Sequence, residues 1–156
     1  FGTILQPDEC WILDGRLPTV ATRMRAATEN AQQIAQKLAR HAKVKRVLYP
    51  TLFEDGDQVR IRDSQCDAPG AMFSIELHGG KQAAFAFLRS IRIARNAVSL
   101  GGVESLVCHP KTTTHSGFTE QEFTQAGISD ALVRVSVGLE DWRDLLADFE
   151  QALQTA

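Results

Sequence analysis

The stretch Leu132-Val133-Arg134-Val135-Ser136-Val137-Gly138-Leu139-Glu140-Asp141 decides how this chain is read. Val133, Val135 and Val137 alternate with Leu132, Arg134 and Ser136. Successive strand side chains point to opposite faces. The pattern therefore predicts a strand whose valines meet a core and whose Arg134 faces the other side. A guanidinium held on a rigid strand suits two-pronged capture of a carboxylate or phosphate. A solvent-facing Arg on a half-buried strand fits the same alternation, because exposed Arg is the rule. The pattern alone leaves both readings open.

On the C-terminal side, a helix starting near Asp141 carries Leu145, Leu146, Phe149 and Leu153 at core spacing. On the N-terminal side, Thr119 with Glu122 is a capping-box signature for a short helix up to Ala126, and Gly127 fits its C-terminal cap. Glu104 to Cys108 and Ala97 to Leu100 read as strand segments. A helix from about Lys81 to Ile91 turns Ala84, Phe87, Leu88 and Ile91 inward, after a Gly79-Gly80 turn. Those glycines lack the Gly-Lys-Ser/Thr ending of a phosphate cradle.

Ala71 to Leu77 is the cleanest strand, with Phe73, Ile75 and Leu77 alternating against Met72, Ser74 and Glu76. Thr51 to Gly70 is polar and turn-rich and reads as a surface loop; Asp55-Gly56-Asp57 lacks the acidic spacing of a calcium loop. Val44 to Tyr49 reads as a short strand ended by Pro50. A long helix from about Thr19 to His41 places Met24, Ala27, Ala31, Ile34, Ala35 and Leu38 on one face. Lys37, Arg40 and His41 lie near its C-terminal end, where positive charge is favoured. Phe1 to Leu17 has no clear period. The expected fold is α+β: a small, mainly antiparallel sheet with helices packed on it.

The chain of 156 residues is long enough for one domain with a proper core. Apolar content of 44%, charged content of 23% and net charge of −2 read as soluble and globular, with no polyanion-binding signature. No nucleic-acid or membrane partner is expected: no basic run is present, and no apolar run approaches the ~20 residues of a membrane span. No signal peptide is visible. Three scattered cysteines, Cys10, Cys66 and Cys108, suit a reducing cytoplasm better than a disulfide framework. The chain opens at Phe1 without an initiator Met, which fits a piece of a longer protein or a processed product.

Several blocks in order carry a resemblance: Ser99-Leu100-Gly101-Gly102-Val103-Glu104-Ser105-Leu106, His109-Pro110 with Thr113-Thr114-His115-Ser116, Gly127-Ile128-Ser129-Asp130, and Leu132 to Asp141. Together they resemble the C-terminal domain of the Cys/Met-metabolism enzymes, fold-type I enzymes that use pyridoxal 5'-phosphate (PLP). These include cystathionine γ-synthase, cystathionine lyases, methionine γ-lyase and homoserine-ester sulfhydrylases. Thr19 to Leu38 resembles their long connecting helix. The resemblance implies that residues 1–18 link to a missing PLP-binding domain and that 19–156 form the substrate-side domain. It implies a homo-oligomeric parent, a dimer of dimers with shared active sites.

In that family a lysine in a Ser-x-x-Lys setting forms the Schiff base with PLP. None of the five lysines here, Lys37, Lys43, Lys45, Lys81 and Lys111, has that setting. No catalytic or cofactor-binding residue is therefore assigned, and the chain alone is expected neither to bind PLP productively nor to catalyse. Lys111 is expected to be simply exposed. The resemblance makes Arg134 the clamp for the substrate's α-carboxylate. It puts Ser99 and Leu100 on the active-site lining and Thr114 near the substrate's distal end.

Val98 is a departure within the family. Cystathionine-handling members often carry Glu just before this Ser, suited to a distal ammonium; Val suits a thioether or small thiol group. This favours methionine γ-lyase-like C–S cleavage or homoserine-ester exchange at the γ-carbon. Cystathionine γ-synthase or cystathionine lyase activity is the alternative. From another class, a stand-alone binding or oligomerisation module without catalysis is the rival. Cys108, His109 and His115 lack the paired spacing of a structural zinc site, so no metal is expected. Glu104 could pass for a general base, but a structural or surface role is expected.

Overall fold

The computed structural model describes residues 2–156. Its centre is a five-stranded sheet in the order β1-β2-β5-β4-β3. The strands are β1 (Val44–Leu48), β2 (Met72–Leu77), β3 (Arg95–Asn96), β4 (Leu106–Cys108) and β5 (Leu132–Ser136). Every neighbouring pair is antiparallel except β3 with β4. At one edge, β1 shifts register between Val44 and Arg46; at the other, β3 contributes only two residues.

Register explains the two faces. Phe73 pairs with Val135 and Val135 with Val107, while Ile75 pairs with Val133. These side chains share one face and are all buried. Three helices cover it: α2 (Val20–Leu38), α4 (Gly80–Ser90) and α6 (Trp142–Leu153). Ala31, Ile34, Ala35 and Leu38 line the inner stripe of α2, and Leu145, Phe149, Ala152 and Leu153 that of α6. Phe87 of α4 meets Phe149 of α6 with ring centroids 5.8 Å apart. Burial of each such ring contributes about 1.5–3 kcal/mol.

The opposite face carries Ser74, Glu76, Arg134, Ser136 and Cys108 at alternate positions. The segment from Ala97 to Ser105 passes across it as the crossover that lets β3 and β4 run parallel. The observed architecture is thus the expected α+β arrangement.

Several boundaries differ from expectation. Ala97–Leu100 is not strand: pairing stops at Asn96, and Val98 and Leu100 are more than half exposed. The stretch 51–70 is not a plain loop but holds α3 (Gly56–Gln65), capped by Asp55, whose side chain accepts from Gln58 N–H at 2.9 Å. No residue of α3 is buried, so it has no apolar stripe for periodicity to reveal. Residues 7–16 form α1 (Pro7–Arg16), likewise without a buried residue. Met24, placed by periodicity on the inner face of α2, is 46% exposed, because the buried stripe of that helix begins only at Ala27.

Tyr49, fully buried after β1, donates its phenol to Gly70 O at 2.8 Å, and burial pushes its pKa up to about 12. The short α5 (Glu120–Ala126) has the expected capping box at Thr119 and Glu122, and Gly127 closes it at φ 68°. No helix among the described residues is long and apolar enough to cross a membrane.

Candidate substrate-side site

Arg134 projects from the middle of β5, between Ser74 on β2 and Cys108 on β4. Its Nη2 donates to Val98 O at 2.6 Å and Ser99 O at 3.2 Å. Among the described residues, no hydrogen-bond acceptor or carboxylate engages its Nε or Nη1. One prong of the guanidinium therefore braces the crossover loop while the others stay available to an anion. Two residues further along the same face, Ser136 Oγ accepts from Gly101 N–H at 3.1 Å. Two β5 side chains of the same parity thus strap the loop down.

The structure brings three of the expected residues together, Arg134, Val98 and Ser99, through the loop's carbonyls rather than its side chains. Val98 and Leu100 are exposed and flank Ser99, whose side chain is open to solvent as well. Thr114 lies in the turn before α5, where its hydroxyl pairs with His115 Nδ1 at 2.8 Å. No hydrogen bond ties Thr114 to Arg134 among the described residues. Glu104 is exposed, as a surface role requires. His109 is buried between Thr112 Oγ1 at 2.8 Å and Asp130 O at 2.9 Å, and its ring stacks near Phe85. Among the described residues no group of three or more His, Cys, Asp or Glu side chains is placed to hold a metal.

Lys111 departs from expectation. It is largely covered, pairs with Glu120 at 3.0 Å and Asp130 at 3.4 Å, and lies over the Phe123 ring. The hydrogen bond that it donates to Glu120, with Asp130 beside it, holds its amine above the usual lysine range. The other lysine amines are engaged elsewhere: Lys43 on Ala156 O, Lys45 on Glu76, Lys37 over Trp142 and Lys81 over Phe85.

Sequence reasoning missed the groups that hold the loop's two ends. Ahead of β3, which leads into the loop, the buried Asp148 carboxylate on α6 accepts from Arg92, Ile93 and Ala94 N–H at 2.8, 2.9 and 3.2 Å. At the exit, Ser105 bonds Glu140. Only Ser136 had a readable signal, its shared parity with Arg134.

The Cys/Met metabolism PLP-dependent enzyme family matches residues 1–154. An L-methionine gamma-lyase of Pseudomonas deceptionensis is 43% identical over 98% of this chain and 38% of its own length. The cystathionine beta-lyase MetC of Bacillus subtilis is 38% identical over 99% of this chain and 39% of its own length. A Campylobacter jejuni crystal structure containing N'-pyridoxyl-lysine-5'-monophosphate superposes with TM-score 0.92 at 33% identity, over 98% of this chain and 36% of that one. The chain spans about two-fifths of the length of the curated relatives it matches. On this match and this architecture, the chain belongs to the Cys/Met metabolism PLP-dependent enzymes.

Proposed function

We propose that this chain is the substrate-side domain of a PLP-dependent trans-sulfuration-type enzyme acting at the γ-carbon of sulfur amino acids. Methionine γ-lyase-like C–S cleavage or homoserine-ester exchange is the leading reading. The single observation that carries it is Arg134, braced on the Val98 and Ser99 carbonyls with no acceptor on Nε or Nη1 among the described residues. In this reading Arg134 clamps the α-carboxylate, Ser99 and Leu100 line the pocket beside it, and Thr114 borders the distal end. The clamp fixes the amino acid so that its breaking bonds align for reaction. Val98 gives the distal group an apolar neighbour, suited to a thioether.

In this reading the chain does not itself supply the Schiff-base lysine, since none of its five lysines stands in the Ser-x-x-Lys setting that the resemblance calls for. When bound, PLP supplies the electron sink for the bond changes. In this proposal its lysine and phosphate partners belong to another part of the protein, residues 1–18 lead from it, and 19–156 form the unit described here. The exposed apolar residues Trp11, Ile12, Leu13 and Leu17 then face that PLP-binding part. A dimer of dimers and a cytoplasmic location belong to the same proposal.

The test is Arg134→Lys in the full-length, PLP-loaded protein. Loss of the planar guanidinium and its spare donors should raise KM for methionine about 100-fold, and calorimetric binding of glycine should weaken similarly. Unchanged KM and unchanged glycine binding would sink the clamp. A cystathionine-acting enzyme is the second reading, favoured by the likeness to the B. subtilis cystathionine beta-lyase. Val98→Glu separates the two: a rise in cystathionine turnover at the expense of methionine supports the role given to Val98. A stand-alone module would bind carboxylates with no turnover in any form of the protein.

A further inference from the structure

The return limb of the crossover loop is locked to the turn after β5 by groups to which the proposed chemistry gives no task. Ser105 is fully buried. Its N–H donates to Glu140 Oε1 at 2.7 Å and its hydroxyl to Glu140 Oε2 at 2.8 Å. The same hydroxyl accepts from Gly138 N–H at 2.8 Å. A serine on a carboxylate has the composition of a nucleophile and its base. Here the oxygen is closed to solvent and already both donates and accepts, so it has no route to a substrate.

Further contacts tighten the lock. Leu139 N–H donates to Val103 O at 2.8 Å. Gly138 lies so close to the Val103 carbonyl and the Glu104 backbone that a Cβ has no room. Asn30, reaching from α2, donates to Gly138 O at 3.2 Å and Glu140 O at 2.8 Å. The outgoing limb of the same loop is held by Arg134 through the Val98 and Ser99 carbonyls. Arg134 and the Gly138–Glu140 turn belong to one continuous strand and its exit. Both limbs are therefore measured against the same rigid element.

We propose that Glu140, acting through Ser105, is a positioning residue: it holds the loop at the height where Arg134 is braced, and so aims the guanidinium at the substrate carboxylate. The inference rests on the reading of Arg134 as the carboxylate clamp. Release of the return limb lets the Val98–Ser99 carbonyls drift, and a misplacement near 1 Å is enough to lose up to about 100-fold.

The experiment uses the full-length, PLP-loaded protein with Ser105→Ala and Glu140→Gln. Calorimetry compares glycine with glycine methyl ester, which keeps the amine and lacks the carboxylate. For Ser105→Ala, glycine should bind about 10-fold more weakly with the ester unchanged, and KM for methionine should rise about 10-fold with kcat within about 2-fold. Glu140→Gln keeps one acceptor for the Ser105 N–H and should give a smaller shift in the same direction; it carries the test if Ser105→Ala does not fold. Equal loss for acid and ester, or no loss for either, would overturn the proposal. Arg134→Lys separates the two claims. If it discriminates acid from ester and the Ser105 and Glu140 variants do not, only the positioning role fails. If Arg134→Lys does not discriminate, the clamp reading fails.

Discussion

Glu76 shows at the scale of one residue how the polar face of the sheet tolerates a charge. It is 5% exposed, and burial alone would push its carboxyl up. Hydrogen bonds from Ser129, Arg46 and Lys45 outweigh that and hold it below the ordinary 4.5, with Arg46 Nε at 2.6 Å. A depressed carboxyl means that the unfolded chain binds the proton first. Glu76 therefore stabilises the fold fully above about pH 4.5, and this contribution is lost as pH falls through its lower folded value. Glu76→Gln should cost about 1–2 kcal/mol at pH 7, since its cationic partners are half exposed and regain water. Urea unfolding at pH 7 and pH 3.5 checks this: the gap between wild type and variant should narrow at the lower pH. Arg134 sits on the same face under the opposite condition, with donors to spare and no carboxylate partner among the described residues.

At the scale of elements, α5 is the smallest test of what local chemistry controls. Its Thr119–Glu122 box and Gly127 cap were both readable, because each is a short-range pattern in the chain. Thr119→Ala should destabilise α5 by about 1 kcal/mol, measured as faster amide exchange across residues 120–126. Strand β5 was readable to the level of its faces, since period-two alternation reports which side each residue takes. Helices α1 and α3 were not, because neither buries a residue and neither has an apolar stripe. Their signals were the end groups alone: Asp55 before α3, and Pro7 with Glu9 at the start of α1. Val98 and Leu100 imitate a strand in sequence while lying exposed on a loop. In the candidate site, the face that Arg134 takes was legible through strand parity, whereas Ser99 was named through the resemblance alone. Ser105 with Glu140, and Asp148 with the 92–94 amides, were not, because partners joined across such separations leave no local pattern.

For the whole molecule, the sheet divides labour between its faces. The apolar face under α2, α4 and α6 supplies the core, and the polar face carries the crossover loop that Arg134 braces. Helix α1 belongs to neither. It buries nothing, and Trp11 at its centre is 78% exposed. Deleting residues 2–16 from the 156-residue chain should shift unfolding free energy by less than about 0.5 kcal/mol, as read from the urea midpoint. A large loss would mean that this helix folds back onto the core.

The two outermost strands carry a different consequence. An open strand edge is a template on which another polypeptide can add by backbone pairing. Here one margin is only two residues long, and the other is broken between Val44 and Arg46 and studded with Lys45 and Arg46. Neither margin offers a long flat ladder, so the sheet resists growth into fibrils by strand addition. Any contact between copies of this chain is therefore left to side chains on helices and loops, where shape and charge can choose the partner.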